Sequence, residues 1–244
     1  MIEVRHLSRR FGTVDAVTGV SFRAPDRHIT GILGENGAGK TTTLAAICGL
    51  IQPDEGAVHI GETGYGESTA IERRRLVGAL LDHKGLYERL TARENIAYFG
   101  ALQGLSRSVL NGRVNDVVAR LGLGAIADRR VAGFSQGERM KVALGRAIVH
   151  APPHVLLDEP TNGLDIPSVL ALREILREMR KAGTCIVFSS HVLDEVRALC
   201  DTIVILSHGH VVADGTIPEI CRDTGQATLE AAFLTLMRRE PVAS

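Results

Sequence analysis

The eight-residue segment GENGAGKT at 34–41 constrains this chain more than any other feature. It matches the pattern G-x-x-x-x-G-K-[ST]. The β-like run HITGIL (28–33) precedes it, and a helical pattern from Thr41 to Leu50 follows. Gly34, Gly37 and Gly39 let the backbone turn so that consecutive N–H groups, those of Glu35, Asn36 and Ala38 among them, face inward. Such a nest at a helix N-terminus is an anion site before any side chain contributes. Lys40 is placed to reach the β- and γ-phosphates of a nucleoside triphosphate. The Thr41 hydroxyl is a ligand for Mg²⁺, and Thr42 adds a phosphate contact.

Composition narrows the rest. Of 244 residues, 45% are hydrophobic and 23% charged, which suits a globular chain and not a disordered one. A chain of this length buries roughly 70% of its unfolded surface and needs no disulfide or metal staple. Lys+Arg and Asp+Glu are both 28. That neutrality argues against nucleic acid and against polybasic membrane attachment. No apolar run has the length of a membrane span, and MIEVRHLSRRF lacks the apolar core of a signal peptide. Cys48, Cys185, Cys200 and Cys221 show no CxxC spacing, so a reduced cytosol is expected and zinc is not.

Short β-branched runs alternate with helical patterns, which predicts an α/β fold with much parallel pairing. Strands are expected at 2–7, 28–33, 56–60, 76–81, 154–158 and 184–190. A hairpin is expected from 202–206 and 210–214. A helix end is expected at 71–75, and the stretch 91–149 reads as three helices, the first opening on the capping box TARE. Helices are also predicted at 167–181 and 192–199. At 228–238, Leu229, Ala232, Phe233, Leu236 and Met237 share one face, as in a terminal docking helix.

HVLLDEP (154–160) is an apolar strand ending in two acids. Asp158 fits the Asp that holds Mg²⁺ with the phosphate-loop hydroxyl, and Glu159 is placed to polarise an attacking water. His191 follows the buried-type strand of TCIVFSSH. Ligands of open parallel sheets bind beyond the carboxyl ends of the strands, so Gly34, Asp158 and His191 should converge on one edge.

FSQGERMKVALGRAIVHAPPHVLLDEPTNGLD (134–165) resembles the core of ATP-binding-cassette (ABC) ATPases. FSQGE stands where that family has LSGGQ, TNGLD resembles its D-loop, SSH resembles its switch-histidine segment, and Phe11 resembles its adenine-stacking aromatic. The match runs from residue 2 to about 220. The resemblance implies a P-loop NTPase: a RecA-like α/β core with an antiparallel β subdomain and an inserted helical signature subdomain. It implies ATP and Mg²⁺ as cofactors and a head-to-tail pair, a homodimer or a paired homologous cassette. Ser135, Gln136 and Gly137 would then contact the γ-phosphate in trans, with Asp165 at the dimer seam. Asp82 aligns with the family's metal-linking Gln and is expected in the metal sphere. The expected organisation is a nucleotide-binding domain at 1–222, with the helical subdomain at about 88–150 and a tail at 223–244.

The segment 84–102 resembles cassettes of bacterial exporters, and the whole is most similar to sodium-export NatA-type subunits. That implies an integral-membrane permease as partner, no nucleic acid, and a peripheral place on the cytoplasmic face of the membrane. Leu86, Tyr87 and Leu90 are candidate permease contacts. The alternative is a soluble ABC ATPase of repair, translation or assembly, but its usual second cassette or long coiled coil is absent from this sequence.

Overall fold

The computed structural model describes residues 1–61, 63–64, 75–81 and 85–238. Most of the helix end expected at 71–75 lies outside them, as does Asp82. Two sheets organise the described chain. Four strands, β1 (Ile2–Phe11), β2 (Val14–Ala24), β4 (Glu55–Ile60) and β5 (Thr63–Gly64), form an antiparallel sheet in the order β2-β1-β4-β5. Six others form the central sheet: β3 (Ile29–Leu33), β6 (Val77–Leu80), β7 (His154–Asp158), β8 (Cys185–Ser190), β9 (Thr202–Ser207) and β10 (His210–Gly215). Their order is β10-β9-β3-β8-β7-β6, parallel except for the β9–β10 hairpin.

Alternation along the central strands builds two cores. Val155, Leu157, Ile186, Phe188, Ile203 and Ile205 face one cluster, and Leu156, Val187, Val204 and Leu206 face the other. Strands buried on both faces read as continuous apolar runs, which is how HVLLD and CIVFSS appear. The second cluster is closed by the antiparallel sheet and by α1 (Lys40–Ile47). The first is closed by α2 (Ala92–Leu102), α3 (Arg107–Arg120) and α4 (Gln136–Ile148), all inserted between β6 and β7, and by α5 (Ile166–Lys181).

The remaining helices are α6 (Leu193–Leu199), α7 (Ile217–Thr224) and α8 (Leu229–Met237). Leu229, Ala232 and Leu236 of α8 are buried, and Phe233 and Met237 pack on the same core. Burial pushes the thiols of Cys48 and Cys185 up to about 12, so they act as small core hydrophobes. No described helix is long and apolar enough to cross a membrane.

β1, β2 and α7 differ from the sequence expectation. The strand expected at 2–7 continues to Phe11, and its partner β2 was not anticipated. The register shifts three times between them, and His6 and Gly19 take positive φ. These bulges break the two-residue period that marks a strand. The helix α7 was also missed, although its capping box, Thr216 with Glu219, is present in the sequence.

Candidate active site

Strand order gathers the chemistry. β3, β8 and β7 are adjacent, with Leu33 opposite Ser190 and Asp158 opposite Ser189. The glycine-rich loop, the pair Asp158–Glu159 and His191 therefore leave the same edge of the sheet. That edge is where ligands of parallel sheets bind.

The loop is shaped by close approach. Gly39 has φ 100°, and a Cβ there would lie 2.6 Å from Val17 Cγ1 and 2.7 Å from Ala16 O. Only glycine tolerates both the left-handed turn and that contact. The loop leads into α1, whose first residue is Lys40. Its side chain is only 4% exposed. Nζ donates to the carbonyls of Gly34 (2.8 Å) and Glu35 (3.1 Å) and lies 3.3 Å from Glu159 Oε1. Glu35, Asn36 and Gly37 form the exposed rim, Ala38 is buried beneath it, and Thr42 is half-buried beside Thr41.

Thr41 Oγ1 donates to Asp158 Oδ2 at 2.7 Å. Ser189 Oγ donates to Asp158 Oδ1 and accepts from the Glu159 N–H at 3.0 Å. A hydroxyl and a carboxylate side by side are the hard oxygen donors that Mg²⁺ takes together with substrate phosphates, so the residues fit that ion. Glu159 has φ 45°, a conformation that non-glycine residues hold only when the surroundings fix them. Its carboxylate spans two cations or donors: Oε1 faces Lys40, and Oε2 lies 2.7 Å from His191 Nδ1. That contact favours a proton on His191 Nδ1 and leaves Nε2 for another partner.

The residues expected to act from a second copy are held differently. Ser135 caps α4 in a capping box with Glu138. Gln136 Nε2 donates to Asn162 O at 3.0 Å, and a Cβ on Gly137 would meet Ser168 Oγ at 2.3 Å. Among the described residues no hydrogen bond joins Ser135, Gln136 or Gly137 to the glycine-rich loop. Asp165 caps α5 by accepting from the Ser168 N–H at 3.1 Å, and hydrogen bonding from Ser168 holds its carboxyl below the usual range. Phe11 is 47% exposed, with the Arg9 guanidinium 5.0 Å from its ring centre, so it is not an ordinary core residue. Ser189 was not singled out from the sequence. The signal was present: a polar residue near the end of a buried parallel strand, two positions before His191.

A family model described as "ABC transporter" matches residues 17–162. The ABC transporter ATP-binding protein NatA of Bacillus subtilis is 38% identical over 98% of this chain and 99% of its own length. The linearmycin resistance ATP-binding protein LnrL of the same organism is 32% identical over 94% of this chain and 73% of its own. A solved structure described as the ATP-binding subunit of an ABC transporter is similar, with a TM-score of 0.88 at 31% identity. It covers 98% of this chain and 100% of that one.

Proposed function

The chain belongs to the ABC transporter family as an ATP-binding, ATP-hydrolysing subunit, and from that premise we propose that two such cassettes close head to tail over ATP and drive a separate membrane permease. The observation that carries the catalytic part is the Glu159 carboxylate spanning Lys40 and His191 beside the Thr41–Asp158 pair. Phosphoryl transfer asks mainly for positioning and charge stabilisation, and each residue has such a task. The backbone of 34–39 and Lys40 hold the phosphates. Thr42 adds a contact, and Phe11 stacks on the adenine. Glu159 orients the attacking water and takes up its proton. His191, steadied through Nδ1 by Glu159, presents Nε2 to the γ-phosphate. Mg²⁺, when bound by Thr41 and Asp158, supplies neutralisation of the β- and γ-phosphate charge.

The chain has one phosphate loop and one FSQGE segment, so each ATP needs the second copy's Ser135, Gln136 and Gly137. A donor-rich helix N-terminus suits the γ-phosphate charge. Asp165 then lies at the seam. Asp82 is outside the described residues, and its place in the metal sphere rests on alignment. The division at residue 222, with the helical unit at about 88–150, is part of the same reading.

For the permease, a groove of about 390 Å³ between α1, β6, α2 and α4 offers Cys48, Leu50, Phe99, Gln103 and Arg146. Tyr87 is exposed beside it and packs edge-on to Tyr98 (5.3 Å), whereas Leu86 is buried and serves packing. Docking there would place the subunit on the cytoplasmic face of the membrane. LnrL is named for linearmycin resistance, and the cargo we assign is a small molecule or Na⁺ moved outward. Glu159→Gln should keep ATP binding and abolish turnover in the purified chain; unchanged hydrolysis would contradict the assignment. A tagged chain drawn from membranes should bring a polytopic permease, whereas recovery with ribosomes or DNA would favour the soluble alternative.

A further inference from the structure

α6 begins at Leu193, two residues after His191, and has no side-chain cap at its N-cap position. Its N-cap position is Val192, whose side chain has nothing to donate or accept. Two residues outside that position take over. Ser190 Oγ accepts from the Val192 N–H at 3.0 Å and donates to Glu195 Oε2 at 2.8 Å. The Glu195 N–H in turn donates to the Val192 carbonyl at 3.2 Å. The bracket so closed runs over His191 and Val192 and fixes both sides of the residue whose imidazole meets Glu159.

The choice of Glu195 is costly. It is 8% exposed, and among the described residues no cation lies within ion-pairing distance. Among the described residues its one side-chain hydrogen bond is accepted from Ser190 Oγ. A serine or aspartate at position 192 would cap the helix without burying a carboxyl group. α6 is itself anchored elsewhere. Val196 and Cys200 Sγ sit in the space left by Gly31 of β3, and Arg197 pairs with Glu230 of α8. The bracket therefore adds little to holding the helix in place. What it adds is a fixed link from that anchored helix to His191.

We propose that Ser190 and Glu195 are positioning residues for His191. They touch no phosphate and act by holding the His191 backbone so that Nδ1 meets Glu159. The inference rests on the reading of His191 as a catalytic residue. Small displacements of a reacting group lower turnover without weakening substrate binding.

The test is a double-mutant cycle on the full-length chain, with kcat and KM for ATP, single-turnover hydrolysis of radiolabelled ATP and melting temperature measured on each variant. Ser190→Ala and Glu195→Ala should each lower kcat about tenfold and leave KM within about twofold. Glu195→Gln and Ser190→Thr retain the acceptor and the hydroxyl, and should restore kcat to within about threefold of wild type. Placed in a His191→Ala background, neither alanine variant should lower the residual rate further. Additive losses in that background, a change confined to KM, or no loss of kcat would each overturn the proposal. If Glu195→Ala does not fold, the Ser190 variants and Glu195→Gln still decide it. Wild-type turnover by His191→Ala alone would overturn the role of His191. An impaired His191→Ala with normal Ser190→Ala and Glu195→Ala would overturn only the positioning.

Discussion

Lys40 is a buried ammonium whose partners are two loop carbonyls and the Glu159 carboxylate. Truncating one partner of a buried charged pair costs about 2–5 kcal/mol, so Lys40→Ala should weaken ATP binding at least about thirtyfold by calorimetry. Wild-type affinity would remove Lys40 from the phosphate site. Ser189 is fully buried and is the hinge of the carboxylate pair. Ser189→Ala strands the Glu159 N–H, a loss of about 1–3 kcal/mol, and each kcal/mol lowers the melting temperature by about 2–4 °C in a chain this long. Turnover should fall with it, because both Asp158 and Glu159 lose their support. Lys40 is legible in the sequence from the glycine-rich motif, and Asp158, Glu159 and His191 because each stands at the end of a strand pattern. Ser189 is not, because its role depends on β8 lying beside β7, and strand order is not written in either strand.

At the scale of elements, caps carry much of the helix specification. Thr91 and Thr216 open α2 and α7 in capping boxes, and the backbone hydrogen bonds at those threonines hold Glu94 and Glu219 below the usual carboxylate range. The sign follows: a lowered folded-state pKa stabilises above the unfolded value and is lost as pH falls through the folded one. Glu94→Gln keeps an acceptor that does not titrate in this range. Melts at about pH 7 and about pH 3 should therefore show wild type losing its advantage over Glu94→Gln in acid. An advantage constant with pH would contradict the shift. The same caps explain what could be read. TARE announced α2, and TIPE at 216–219 announced α7 equally well, but eight residues are too few for helical periodicity to reinforce the cap. β2 was hidden for another reason. Its pairing with β1 slips at Gly19 and His6, so the alternation of Val20, Phe22 and Ala24 falls out of step at Val17 and covers too few residues to mark the whole strand.

For the whole molecule, exposure marks the face where a second copy is expected. Ile166 is 77% exposed beside Asp165, with Leu170 one turn on and Val192 next to His191 also exposed. Ile166→Glu sits on the surface and should change stability by no more than about 0.5 kcal/mol. It should leave ATP affinity of the single chain within about twofold while cutting turnover more than tenfold, because burial of an unpaired carboxylate opposes closure. Equal turnover would place the partner elsewhere. Neutral charge and the lack of a long apolar run described a self-contained globule. The count of one phosphate loop and one FSQGE segment points beyond a single chain, because each such pair leaves a half-site for a second copy to complete. The most direct measurement is the mass of Glu159→Gln in solution by light scattering, with and without ATP. ATP should convert one copy to two, and the same conversion should fail when Ser135→Arg is added. A single-copy mass at saturating ATP, or a dimer indifferent to Ser135→Arg, would contradict the head-to-tail site.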